Sequence, residues 1–97
     1  MDYKLIWSPQ AIEDVDAIAE YIARDSLVYA ESTVERIIQS PEKLCQFPKL
    51  GRVVPEKNHD SIRELFVFQY RIIYEIQKSE IHILAIVHGK RLIDDLL

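Results

Sequence analysis

The sequence predicts an α+β fold in the order β-α-α-β-β-β, with a small antiparallel, twisted sheet packed against an N-terminal helical hairpin. Three observations carry this. Apolar residues recur at spacings of three and four from Ala11 to Leu44. They alternate with polar residues from Ile62 to His88. Serine, proline and glycine punctuate the chain where one pattern gives way to the other. At 97 residues the chain makes a single domain spanning 1–97.

"DYKLIW" alternates well enough for a first strand. Ser8-Pro9 follows, a good N-cap and a residue favoured at the first helical position. Ala11, Ile12, Val15, Ile18, Ala19 and Ile22 form the stripe of an amphipathic helix. Asp25-Ser26 breaks that helix and offers a cap for a second, with its stripe on Ala30, Val34, Ile37, Ile38 and Leu44. Pro41 predicts a kink or break near Gln39–Ser40, because proline removes a hydrogen bond and clashes with the preceding turn. "FPKLG" ends the helical part, and "RVVPEKNHDS" reads as mostly loop. Three strands are then expected at 62–67, 69–77 and 80–88, with Lys78-Ser79 as a two-residue turn.

That turn sets a register in which Arg71 faces Ile86, Ile73 faces Leu84 and Glu75 faces His82. Alternation then puts Tyr70, Ile72, Tyr74, Ile76, Ile81, Ile83, Ala85 and Val87 under the helices. Arg71, Ile73, Glu75, His82, Leu84, Ile86 and His88 fall on the other face. A hairpin turning at Phe68-Gln69 adds Ile62, Glu64 and Phe66 to it. So apolar a surface needs a cover. The candidates are the tail residues Leu92, Ile93, Leu96 and Leu97, or a partner.

Composition narrows the function classes. The net charge of −4 disfavours a protein that lives on phosphate contacts. No run of about 18 apolar residues spans a membrane, and "MDYKLIW" lacks the form of a secretory signal. The single cysteine, Cys45, fits a reducing cytoplasm. His82 and His88 are too far apart along a strand to share a metal, and no ligand spacing points to one. With two glycines there is no phosphate-cradling loop, and no cofactor is expected.

The element order, the hairpin closed by "FPKLGR", the "IREL" strand, "YRIIYEI" and "ILAIVHGKR" together resemble the RelE/ParE superfamily of bacterial type II toxins, over nearly the whole chain. The resemblance implies a toxin neutralised by a cognate antitoxin that wraps it. It implies one of two activities: RelE-like members cut messenger RNA on the ribosome, and ParE-like members poison DNA gyrase. Under the nuclease alternative the arginine of "YR" matches Arg71 and that of "GKR" matches Arg91. The two phosphate-holding lysines of RelE-like nucleases fall at Ile62 and Glu64, and their C-terminal tyrosine falls near Leu97. A related subgroup uses glutamate, arginine and histidine, which Glu64, Arg71 and His88 could imitate.

Cleavage of RNA through its 2′-hydroxyl needs a proton acceptor, a proton donor and cationic stabilisation of the phosphorane-like state. His88 could shuttle the proton, but Glu64 would repel the phosphate. The resemblance is therefore closer to ParE. It implies a gyrase inhibitor of the plasmid-stabilisation type, acting by protein–protein contact and not as an enzyme. An inactive toxin-fold protein that only binds its antitoxin is a third alternative. Ile62, Phe66, Ile73, Leu84 and Ile86 are the expected antitoxin contacts, receiving a helix in a groove or a strand on an edge. A homodimer or a toxin–antitoxin hetero-oligomer is compatible with this. The structural alternative for Arg71, a cross-strand pair with Glu64, stands open beside these roles.

Overall fold

The computed structural model describes residues 2–90. Strand β1 (Lys4–Trp7) leads into helices α1 (Pro9–Ala23) and α2 (Leu27–Gln39). A 3-10 segment at Ser40–Cys45 and a short one at Pro48–Leu50 follow. Strands β2 (Arg52–Val53), β3 (Ile62–Val67), β4 (Tyr70–Gln77) and β5 (Glu80–His88) complete the described chain. The five strands form one sheet in the order β1-β5-β4-β3-β2.

The helix starts are where the serines put them. Ser8 Oγ accepts from the Ala11 amide at 3.0 Å, and Ser26 Oγ accepts from the Tyr29 amide at 3.1 Å. Each satisfies an amide that the first turn leaves without a partner. Ser8 also donates to the Leu84 carbonyl at 3.0 Å, which fixes the start of α1 to β5. Pro41 ends α2 as expected: the chain tightens into 3-10 geometry at Ser40, and Pro41 and Leu44 are buried there.

The core lies between the hairpin and one sheet face. Ala11, Val15, Ile37 and Leu44 meet Ile72, Tyr74, Ile81 and Ile83. Tyr74 ties the end of the helical part to the sheet. Its hydroxyl donates to the Pro48 carbonyl at 2.7 Å and accepts from the Gly51 amide at 3.0 Å.

The α+β class and the element order hold, with three corrections. The sheet is mixed, because β1 runs parallel to β5, with Lys4 opposite Glu80 and Trp7 opposite Ile83. The segment expected as loop contributes β2, which pairs antiparallel with β3 at Arg52–Glu64 and Val53–Arg63. The β4–β5 register follows the expected one only from the turn to Tyr74–Ile83. Beyond a bulge opposite Ile73/Tyr74, Leu84 is an extra residue in β5, so Ile73 faces Ala85, Arg71 faces Val87 and Tyr70 faces His88. A one-residue shift exchanges the two faces of every later residue. Ala85 and Val87 therefore move to the face of Ile73, and Ile86 moves under the helices.

Candidate functional site

Arg71 points away from the helices from the middle of the sheet, yet it is only 4% exposed. The segment after β2 covers it. The Val54 amide extends the β2–β3 pairing to the Ile62 carbonyl at 3.1 Å, and the Val54 side chain is fully buried against Ile73, Ala85 and Val87. The chain then turns tightly. The amides of Lys57 and Asn58 both bond back to the Val54 carbonyl, at 3.1 and 2.9 Å, and Asn58 takes a positive φ of 48°. Asparagine is among the few residues that adopt this backbone readily.

The turn aims Glu56 at the guanidinium. Arg71 Nη1 and Nη2 donate to the two carboxylate oxygens of Glu56, each at 2.9 Å. Arg71 Nε donates to Glu64 Oε1, and the other Glu64 oxygen takes Nε of Arg52. Glu64 is 1% exposed. Among the described residues, two arginines and two glutamates thus meet here, and their formal charges cancel. Pairing is what makes burial of these groups tolerable. The carboxylates, Glu56 foremost, hold the Arg71 guanidinium above even its ordinary high pKa. Arg52 also lies over the Phe66 ring, 5.2 Å from its centre.

The structure brings Glu64 and Arg71 together and leaves His88 apart. The bulge turns His88 to the helix side, where its ring meets the edge of Tyr70 at 6.1 Å and Nδ1 accepts from the Lys90 amide at 3.3 Å. Arg91 and the apolar tail residues from Leu92 onward lie outside the described residues. Of the expected antitoxin contacts, Ile62 and Leu84 are partly buried at the margin of the Val54 cluster. Phe66 is 51% exposed. Ile73 is fully buried beneath Val54, and Ile86 is buried among the helices, so neither presents a free surface. Among the described residues, the cover over this face is the chain's own strap around Val54.

Glu56, Arg52 and Val54 are the site residues that sequence reasoning missed. The available signal was "VV" followed by Pro55-Glu56, an apolar pair and a carboxylate in an otherwise polar stretch. Elsewhere His82 sits opposite Glu75, as expected, but bonds to Glu80 at 2.9 Å. His59 is engaged by Ser61. Among the described residues no group of three or more potential ligands stands together for a metal, and no helix is long and apolar enough to cross a membrane.

A helical hairpin on a five-stranded sheet, with the "YR" arginine turned to the opposite face, defines a type II toxin of the RelE/ParE superfamily. The chain matches the family described as ParE toxin of type II toxin-antitoxin system, parDE, over residues 5–93, and it belongs to that family. It is similar to toxin RelE2 of Caulobacter vibrioides, 30% identical over 90 residues covering 92% of this chain and 98% of that one. Solved structures agree on the fold. A chain of the chromosomal ParDE system from P. aeruginosa superposes with a TM-score of 0.76 at 24% identity, covering 91% of this chain and 97% of the other. A chain of the RelBE2 toxin–antitoxin complex from Mycobacterium tuberculosis gives 0.60 at 17% identity, covering 91% and 99%. The YoeB dimer from Staphylococcus aureus gives 0.60 at 16%, covering 91% and 98%.

Proposed function

We propose that this toxin acts as a ParE-like inhibitor of DNA gyrase by protein–protein contact, in the cytoplasm, and is held inactive by a cognate antitoxin. A plasmid-stabilisation role fits the same reading. The observation that carries it is the state of Arg71. The cation that a ribonuclease would turn toward phosphate already has its fork occupied by Glu56 and its Nε bound to Glu64. A phosphate would have to displace one carboxylate and approach another. His88, the proton shuttle expected of such a nuclease, does not stand beside Arg71 but sits with Tyr70 on the opposite face. Inhibition by contact requires none of these groups.

The name of the Caulobacter relative favours the ribosome-dependent ribonuclease as the second reading. Purified, antitoxin-free chain added to ribosomes translating a defined message separates the two. Intact message is expected. Cleavage in the ribosomal A site that disappears in His88→Ala would overturn the gyrase reading. An inert binding module would score negative on both targets. For the antitoxin, Ile62, Phe66 and Leu84 are the accessible contacts of the expected set, and a strand added beside the short β2 edge or a helix laid in a groove supplies the rest.

A further inference from the structure

A hollow of about 370 Å³ opens where the flank of α1 meets the end of β5. Asp14, Ile18 and Tyr21 line it from the helix, and Tyr70, Ile86 and His88 from the sheet. It exists because β1 is short. The last pairing of β1 with β5 is Trp7–Ile83, so beyond that point this edge of β5 has no strand beside it. Side chains from the start of α1 serve the edge instead. Ser8 donates to the Leu84 carbonyl, and Asp14 Oδ2 accepts from the Ile86 amide at 2.9 Å. The other oxygen of Asp14, Oδ1, accepts from Gln10 Nε2 at 2.8 Å. Both donors are neutral, so neither cancels the charge. Among the described residues Asp14 enters no salt bridge, and no Lys or Arg lines the hollow.

A second group stands ready beside the carboxylate. Tyr70 is only 7% exposed, and its hydroxyl has no hydrogen-bond partner among the described residues. A buried hydroxyl left in that state costs free energy until something supplies a partner. Burial, with Tyr29 and Tyr21 close by, holds this hydroxyl above its ordinary pKa, so it stays neutral and keeps its lone pairs for a donor. The rings of Tyr21 and Tyr70 add π faces that attract cations. Tyr21, 67% exposed, already has the Arg24 guanidinium 6.0 Å from its ring centre, although Arg24 does not line the hollow. An uncancelled carboxylate, a free phenol oxygen and aromatic faces together favour a cation and repel phosphates and carboxylates. That sets nucleic acid and anionic lipid aside and leaves a protein side chain. A guanidinium suits the set better than an ammonium, because its plane stacks on a ring while its edge donates to both oxygens. We propose that the hollow between α1 and β5 is a pocket for one arginine side chain presented by a protein partner. The inference rests on the reading that this toxin works by protein–protein contact, and it gives one such contact a place and a residue type.

The test titrates the isotope-labelled whole chain with a short capped peptide holding one arginine, and with its twin holding citrulline, which keeps the shape and lacks the charge. NMR reads the amides of Ile86, Val87 and His88 and the ring signals of Tyr21 and Tyr70. The arginine peptide is expected to shift them saturably and to bind at least tenfold more tightly than the citrulline twin, as a charge-assisted hydrogen bond predicts. Asp14→Asn keeps an oxygen for the Ile86 amide and removes the charge, and Tyr21→Leu changes a ring at an exposed position. Both are expected to weaken binding several-fold, with amide signals elsewhere showing that each variant is folded. Arg91→Ala, without peptide, is expected to leave the Tyr21 ring signals where they are. Equal affinity for the two peptides, no saturable shift, or unchanged affinity in both variants would overturn the proposal. Movement of the Tyr21 signals in Arg91→Ala would also overturn it, by making the chain's own arginine the occupant. Guanidinium ion or spermidine binding as tightly as the peptide would do the same, by making the hollow a site for small amines. Because the assay contains neither gyrase nor ribosome, the pocket can fail while the toxin reading stands, and the reverse.

Discussion

Glu56 presents both of its oxygens to Arg71, each 2.9 Å from a terminal nitrogen, and so buckles the strap from Arg52 to Asp60 onto the sheet. Glu56→Gln keeps the shape and removes the charge. Weakening a charge-assisted pair of this kind costs about 1–3 kcal/mol. The strap should feel it first, as faster hydrogen exchange at the amides of Val54 and Asn58 than in the wild type. Unaltered exchange at both would mean that the buckle holds nothing.

Arg71→Met strands the Glu64 carboxylate in a site where it is 1% exposed, with only Arg52 left to it. Losing one partner of a buried pair costs about 3–5 kcal/mol. Urea denaturation should show that loss, and adding Glu64→Leu should recover much of it, because the two residues act as a unit. Additive losses in the double variant would contradict the pairing.

Tyr74 gives the fold an alkaline limit. Burial pushes its hydroxyl above the ordinary value of 10.0, while the Gly51 amide and Arg63 pull the other way. The folded state then keeps the proton that the unfolded state sheds. Stability from this group is complete below pH about 10 and is lost as pH rises through the folded value. Tyr74→Phe should be less stable at neutral pH, by about 1–3 kcal/mol for the stranded Gly51 amide and Pro48 carbonyl. It should also lose less between pH 9 and 11, set here as roughly one unit either side of the ordinary tyrosine value. Parallel pH curves for the two proteins would remove Tyr74 as the cause.

Gly51 is needed for space and not for an unusual backbone. A Cβ there would sit 2.4 Å from the Glu64 carbonyl oxygen and 2.7 Å from the Tyr74 hydroxyl. Gly51→Ala should therefore destabilise by about 1–3 kcal/mol or more, the range for overpacking, and thermal melting measures it.

Leu84→Asp places a charge at the margin of the Val54 cluster without emptying the core. Binding of the antitoxin, read by calorimetry on folded protein, should weaken at least tenfold, about 1.4 kcal/mol. Unchanged affinity would move the antitoxin off this margin.

Local chemistry was legible in the sequence, and long-range chemistry was not. Ser8, Ser26 and Pro41 act within a few residues of themselves, so their patterns gave the helix ends. The turn at Phe68-Gln69 set the β3–β4 register, and Glu64 pairs with Arg71 as the structural alternative had it. The parallel pairing of β1 with β5 joins residues some 76 apart and leaves no local pattern. The bulge at Leu84 was invisible because "ILAIV" is apolar at every position, so alternation cannot reveal a slipped residue. That slip is what separates His88 from Arg71. Glu56 was hidden for a similar reason: its partner is fifteen residues away across a turn.

The most direct measurement adds purified, antitoxin-free toxin to gyrase, ATP and relaxed plasmid, and reads topology on a gel. Loss of supercoiling, or linear DNA that appears only when gyrase is present, is the predicted result. It should persist in His88→Ala. Complete supercoiling with toxin in molar excess over gyrase would contradict the account.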